Sequence, residues 1–156
     1  MAKFDAGKWA EARVSEWLKN VWNRRAERSY HRYPDARAAR GALAAQPADF
    51  LVSQRRVPWV PGDNAFTYGE VTHLEVKETI EANRLPTDKL SQFGTLRMHA
   101  LAGIAVRVLV YRSAHKDWVF FTEQQLFVYD ECPPSFPFAG LTSYPTAADA
   151  LQEIFK

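Results

Sequence analysis

Residues 66–78 read Phe66-Thr67-Tyr68-Gly69-Glu70-Val71-Thr72-His73-Leu74-Glu75-Val76-Lys77-Glu78. Apolar and polar residues alternate through this stretch, which predicts a β-strand with one face in a core. Leu74 and Val76 then point into that core. Glu75 and Lys77 share the opposite face, with His73 beside them. A carboxylate and an ammonium two residues apart on a strand form at least a surface ion pair, worth roughly 0–1 kcal/mol. Glu-x-Lys is a common tripeptide, so a catalytic reading needs further charged residues from elsewhere in the chain.

Upstream, Pro47-Ala48 leads into Asp49-Phe50-Leu51-Val52, a short apolar strand headed by an acid. A carboxylate at the lip of a buried strand costs desolvation unless it has a partner. Asp49 is therefore either a turn residue capping the strand entry or a metal ligand. Neighbouring strands lie about 4.8 Å apart, so Asp49 and Glu75 on adjacent strands would be able to share one divalent cation. A site of oxygen donors, with neither cysteines nor paired histidines, favours Mg²⁺, with Mn²⁺ able to substitute, over zinc.

A third acid comes from the first helix. Residues 6–22 carry Ala10, Val14, Trp17, Leu18, Val21 and Trp22 at helical spacing, with Asp5 as N-cap. At about 100° per residue, Glu11 lies about 20° from Leu18 and about 60° from Val14, on the edge of the apolar stripe. Glu16 falls about 160° from Leu18 and faces water. Glu11 thus needs either a cation or an arginine partner.

Charge is divided unevenly. Residues 1–60 hold 12 Lys+Arg against 6 Asp+Glu, whereas the whole chain is only +2. Arg24, Arg25, Arg28, Arg32, Arg37 and Arg40, interleaved with Tyr30 and Tyr33, make either a solvated face or a phosphate-binding surface. Residues 23–46 are expected to be a basic loop with some helix. Gly41 interrupts that stretch, and Pro58, Pro61, Gly62, Asp63 and Asn64 mark a turn region.

Downstream, Thr87-Asp88 begins an expected helix that bears Gln92 and ends at Gly103. Gln92 is a polar residue beside the Phe93/Leu96 stripe. Residues 104–112 and 117–121 predict a hairpin, 125–129 a further strand, and TAADALQEIF a final helix. His73 reads as a neighbour of the site rather than a ligand, and His99 and His115 carry no convergent signal. The element order implies an α/β fold, a mixed central sheet flanked by helices, in one domain over 1–156. The segment 126–156, with Phe136, Pro137, Phe138 and Tyr144, either folds back on the sheet or forms a subunit interface. The one cysteine, Cys132, excludes an intrachain disulfide and a cysteine zinc site. No apolar run nears the roughly 20 residues of a membrane span, and the N-terminus lacks the apolar stretch of a signal peptide. A cytoplasmic protein is expected.

Pro47-Ala48-Asp49 followed by Glu75-Val76-Lys77 resembles the signature of the PD-(D/E)XK nuclease superfamily, although Ala48 separates the proline from the acid. The similarity is greatest to Holliday junction resolvases of the archaeal and RecU types. It includes the helix with Gly7 and Ala10-Glu11, the arginine-rich segment before Asp49, and Glu78-Thr79 after Lys77. It continues through Arg84-Leu85-Pro86, Gln92, Ala102-Gly103-Ile104 and Trp118-Val119-Phe120-Phe121, and covers about residues 5–125. The resemblance implies a restriction-endonuclease-like core and hydrolysis of branched DNA, a four-way junction, by a homodimer. It implies Mg²⁺ held by Asp49, Glu75 and Glu11, with Lys77 assisting the attacking water or the phosphate. DNA contacts from the arginines and from Gln92 follow from the same likeness. A restriction- or repair-type nuclease of the superfamily and a non-cleaving DNA-binding module are the competing readings. A compact nuclease of this type would suit a bacteriophage.

Overall fold

The structure is a computed structural model that describes residues 5–25, 27–34, 48–55, 69–128 and 131–156. Arg37, Arg40, Gly41, Pro47 and the turn region from Pro58 to Asn64 lie outside the described residues.

Helix α1 spans Ala6–Asn20, and the Asp5 side chain caps it by accepting from the Lys8 amide. Ala10, Val14, Trp17 and Leu18 are its buried residues, the stripe expected from the spacing. A short 3₁₀ turn, Trp22–Arg24, follows. The chain then forms strands β1 (Arg28–Arg32), β2 (Phe50–Arg55) and β3 (Gly69–Thr79). Strands β5 (Ala105–Arg112) and β6 (Asp117–Thr122) complete a five-stranded sheet in the order β1-β2-β3-β5-β6. Only β3 and β5 run parallel; the other pairs are antiparallel. Helix α2 (Phe93–Leu101) lies in the connection between the two parallel strands, as a parallel crossover requires. A mixed central sheet flanked by helices is therefore the fold.

The sheet separates two apolar clusters, and residue parity assigns each side chain to one of them. Leu74 and Val76 join Phe50, Val52 and Leu109 under α1 and the C-terminal helix α4 (Ala147–Ile154). Val106, Val108 and Val110 face the other way, toward Leu96 of α2. Glu75 pairs in register with Val108, and Lys77 with Val110. Both charged side chains thus project from the second face, where Glu75 is entirely buried.

Three expectations need correction. Residues 28–32 form a strand rather than part of a basic loop, paired with β2 from Arg28↔Gln54 to Arg32↔Phe50. The arginines hide the strand pattern, because Arg28 and Arg32 share a face with Tyr30, which packs on the first cluster. The helix expected from Thr87 is broken into a 3₁₀ turn, Thr87–Lys89, and α2. Leu90 between them has non-helical backbone (φ −117°, ψ 59°) and is buried. Residues 123–126 make a turn of helix, α3 (Glu123–Leu126), in place of a strand, because Thr122 and Gln125 form a capping box.

The C-terminal segment folds back on the sheet. Strand β7 (Ser135–Pro137) pairs with β4 (Arg84–Pro86). Phe136 and Phe138 enter the second cluster, while Leu151, Ile154 and Phe155 enter the first. Tyr144 exchanges two backbone hydrogen bonds of 2.8 Å with Trp118. No helix among the described residues is long and apolar enough to cross a membrane.

Candidate active site

The site forms where β3 outruns β2. Strand β2 covers β3 only as far as Leu74, which pairs with Phe50. From Glu75 to Thr79, β3 retains β5 as its ladder partner. The residue that precedes β2 at this step is Asp49. Its backbone carbonyl accepts from the Tyr33 amide at 2.9 Å, and its Oδ2 accepts from the Val76 amide at 2.7 Å. The carboxylate therefore takes the place of a missing strand neighbour, satisfying a β3 amide that β2 leaves uncovered. This fixes Asp49 against the peptide that joins Glu75 to Lys77.

Glu75 carries the most perturbed charge in the region. Lys77 Nζ pairs with its Oε1, and the Glu75 side chain has no solvent exposure. Burial, followed by the Asp49 charge, pushes its pKa up to about 7. Lys77 and the Asp49 backbone N–H oppose that shift. The arrangement is a buried carboxylate beside a second carboxylate, with one amine to balance them. Lys77 remains 19% exposed, so its ammonium stands between the buried acid and solvent.

Glu11 comes from α1, the helix packed against β3. Its Oε2 accepts from Arg32 Nη2 at 2.7 Å, which realises the arginine partner that the helix-edge position called for. Burial and then Asp49 raise its pKa, while Arg32 and Lys77 pull it down. Glu11 thus lies within electrostatic reach of Asp49 and Lys77, the same two groups that act on Glu75. Glu16 stands on the exposed side of α1, 3.2 Å from Arg13, as its helical angle requires.

Among the described residues, no three acidic, histidine or cysteine side chains form a ready-made metal cage. Asp49 and Glu11 each spend an oxygen on another partner. The donor set nevertheless fits a hard divalent cation: the buried Glu75 carboxylate, balanced by the single Lys77 ammonium, stands next to a second carboxylate.

The other expected residues divide. Arg24 and Arg25 are exposed just beyond α1. Arg28 lies over the Trp22 ring, 4.2 Å from its centroid, and Arg32 also sits 5.9 Å over Phe50. Gln92 occupies the N-cap position of α2 without a side-chain cap bond, and its Oε1 accepts from Ser91 Oγ at 3.3 Å. That bond does not connect it to the acids.

His73 is the residue the sequence reading undervalued. It is buried on the Glu75 face, and its Nε2 lies 2.8 Å from His99 Nδ1. Its ring also stacks against Tyr33 at 6.3 Å. Burial and then His99 hold its pKa below the usual value. No local signal exposes this pair, because the register between α2 and β3 creates it.

No protein-family model matches the chain, and no curated protein matches it. Among solved structures, it is similar to Archaeoglobus fulgidus Hjc, a Holliday junction resolvase from an archaeal hyperthermophile. The two are 18% identical, with a TM-score of 0.44, over 81% of this chain and 85% of that one. That similarity assigns no residue of this chain a role.

Proposed function

We propose that the chain is a divalent-metal-dependent endonuclease that cuts branched DNA, with a four-way junction as substrate. The observation that carries the reading is Glu75. It is a carboxylate with no solvent exposure, with the Lys77 ammonium as its ion-pair partner and a second carboxylate beside it. One ammonium against two carboxylates leaves negative charge in a buried site, which a divalent cation would balance.

Asp49 and Glu75 would hold Mg²⁺ or Mn²⁺, with Glu11 joining directly or through water. The ion would supply charge neutralisation at the phosphate and an acidified water. The chain's own residues do the rest. Asp49 is oriented by the Val76 amide. Lys77, on the same face as Glu75, presents a positive charge to a non-bridging phosphate oxygen or holds the attacking water by hydrogen bonding. Arg24, Arg25, Arg28 and Arg32 neutralise backbone phosphates without reading sequence.

A four-way junction presents strands related by a twofold axis, so paired incision calls for a homodimer with two such sites. The test is incubation of labelled four-way junction and linear duplex of matched sequence with Mg²⁺. The reading expects nicked duplex products from the junction and intact linear DNA. Cutting of linear DNA at a fixed sequence would favour a restriction-type activity. Binding without incision in either metal would favour a non-cleaving module.

A further inference from the structure

We infer that the Arg32–Glu11 ion pair couples DNA binding to metal binding, with Arg32 passing from the Glu11 carboxylate to a DNA phosphate as Glu11 is released toward the dication. The inference rests on the reading above and adds to it a route by which substrate loads the site. Arg32 Nη2 lies 2.7 Å from Glu11 Oε2, within charge-assisted hydrogen-bond range. The two come from different elements: Arg32 ends β1, on the face that looks toward α1, and Glu11 stands on the packing edge of α1. The pair is accessible, with side-chain exposures of 52% for Arg32 and 29% for Glu11. A phosphate from solvent can therefore reach the guanidinium without unpacking the core.

The electrostatics set the direction of the effect. Glu11 is destabilised as an anion by burial and by Asp49, and Arg32 is the first contribution that favours its charged form. While Arg32 holds Glu11, one oxygen of the third acid is engaged, and a metal must compete with a guanidinium for it. A phosphate diester offers that guanidinium a matching pair of anionic oxygens. Once Arg32 turns to it, Glu11 is left facing the Asp49 charge with less positive charge nearby, and a dication is what relieves that repulsion. DNA then raises metal affinity, and by linkage metal raises DNA affinity by the same factor.

The experiment is calorimetric titration of Mn²⁺ into the wild type, Arg32→Ala and Arg28→Ala without DNA. Arg28→Ala removes the same charge from the same strand face, but Arg28 lies over Trp22 rather than on Glu11. Arg32→Ala is expected to bind Mn²⁺ at least about 5-fold tighter than wild type, in the range of ordinary coupling factors, with Arg28→Ala within about 2-fold. In a Glu11→Gln background the Arg32 effect should vanish, as a double-mutant cycle for a direct contact requires. In the cutting-deficient Lys77→Ala background, added junction should tighten Mn²⁺ binding, and Arg32→Ala should remove most of that gain. Equal effects of the two arginine substitutions, or weaker Mn²⁺ binding by a folded Arg32→Ala protein, would overturn the coupling and leave the nuclease reading standing. Absence of Mn²⁺ binding by every form, with junction present, would overturn both. Circular dichroism verifies that each variant is folded; should Arg32→Ala not fold, Arg32→Gln takes its place with the same expected direction.

Discussion

Asp49 Oδ2 accepts a hydrogen bond of 2.7 Å from the amide of Val76, 27 residues away. Val76 is the residue between Glu75 and Lys77, so this single bond ties the acid at the head of β2 to both charged side chains of β3. It places two carboxylates in one neighbourhood and fixes Asp49 by backbone geometry rather than by a flexible side chain.

Glu75 makes the folded protein acid-preferring. Its carboxyl rises from 4.5 to about 7 on folding. Below about 4.5 both states bind the proton and nothing is lost; as pH rises through about 7, the folded state must ionise a buried group. At about 1.4 kcal/mol per pKa unit, the loss approaches about 3 kcal/mol. His73 acts in the opposite sense below its ordinary 6.5, since burial, then His99, lowers it. Comparison with Glu75→Gln, in which His73 is retained, isolates the carboxylate. Urea denaturation in EDTA should find Glu75→Gln more stable than wild type at pH 8, with the advantage gone near pH 4.5. A constant difference across that interval would contradict the account.

Lys77→Ala should retain junction binding within a few-fold while cleavage falls by two orders of magnitude or more, which corresponds to about 3 kcal/mol of transition-state stabilisation. Band-shift and single-turnover cleavage on the same junction measure the two quantities. Parallel losses in both would make Lys77 a binding residue instead.

The two acids of α1 form an internal control. Glu11→Ala should impair cleavage at least about 10-fold, whereas Glu16→Ala, an exposed partner of Arg13, should stay near wild type and shift stability by less than about 0.5 kcal/mol. Equal cleavage rates for the two variants would remove Glu11 from the site.

The folded-back C-terminal segment carries a stability prediction. Phe136 is 2% exposed and packs against Phe93 and Phe121 at ring distances of 5.8 and 6.1 Å. Phe136→Ala should cost about 3–5 kcal/mol, the usual range for removing a buried aromatic ring. Chemical denaturation checks it, and a loss below 1 kcal/mol would show that this segment does not contribute to the core.

Much of the fold was legible because single elements announce themselves. The alternation around Leu74 and Val76 separated core from site, and helical angles on α1 distinguished Glu11 from Glu16. What stayed hidden depends on partners distant in sequence. Arg28 and Arg32 obscured β1, since a strand whose outer residues are cationic reads like a loop until its pairing with β2 is known. The buried Leu90 split a helix that local spacing made continuous. The Asp49–Val76 bond, the His73–His99 pair and the Arg32–Glu11 pair all arise from register and packing, which composition and spacing do not encode.

Crystals of the protein grown with Mn²⁺ test the central claim most directly, by the metal's anomalous signal. The account predicts a peak about 2–2.5 Å from carboxylate oxygens of both Asp49 and Glu75, with Glu11 within one water of it. A peak on His73 and His99 instead, or none beside Glu75 at millimolar Mn²⁺, would contradict it.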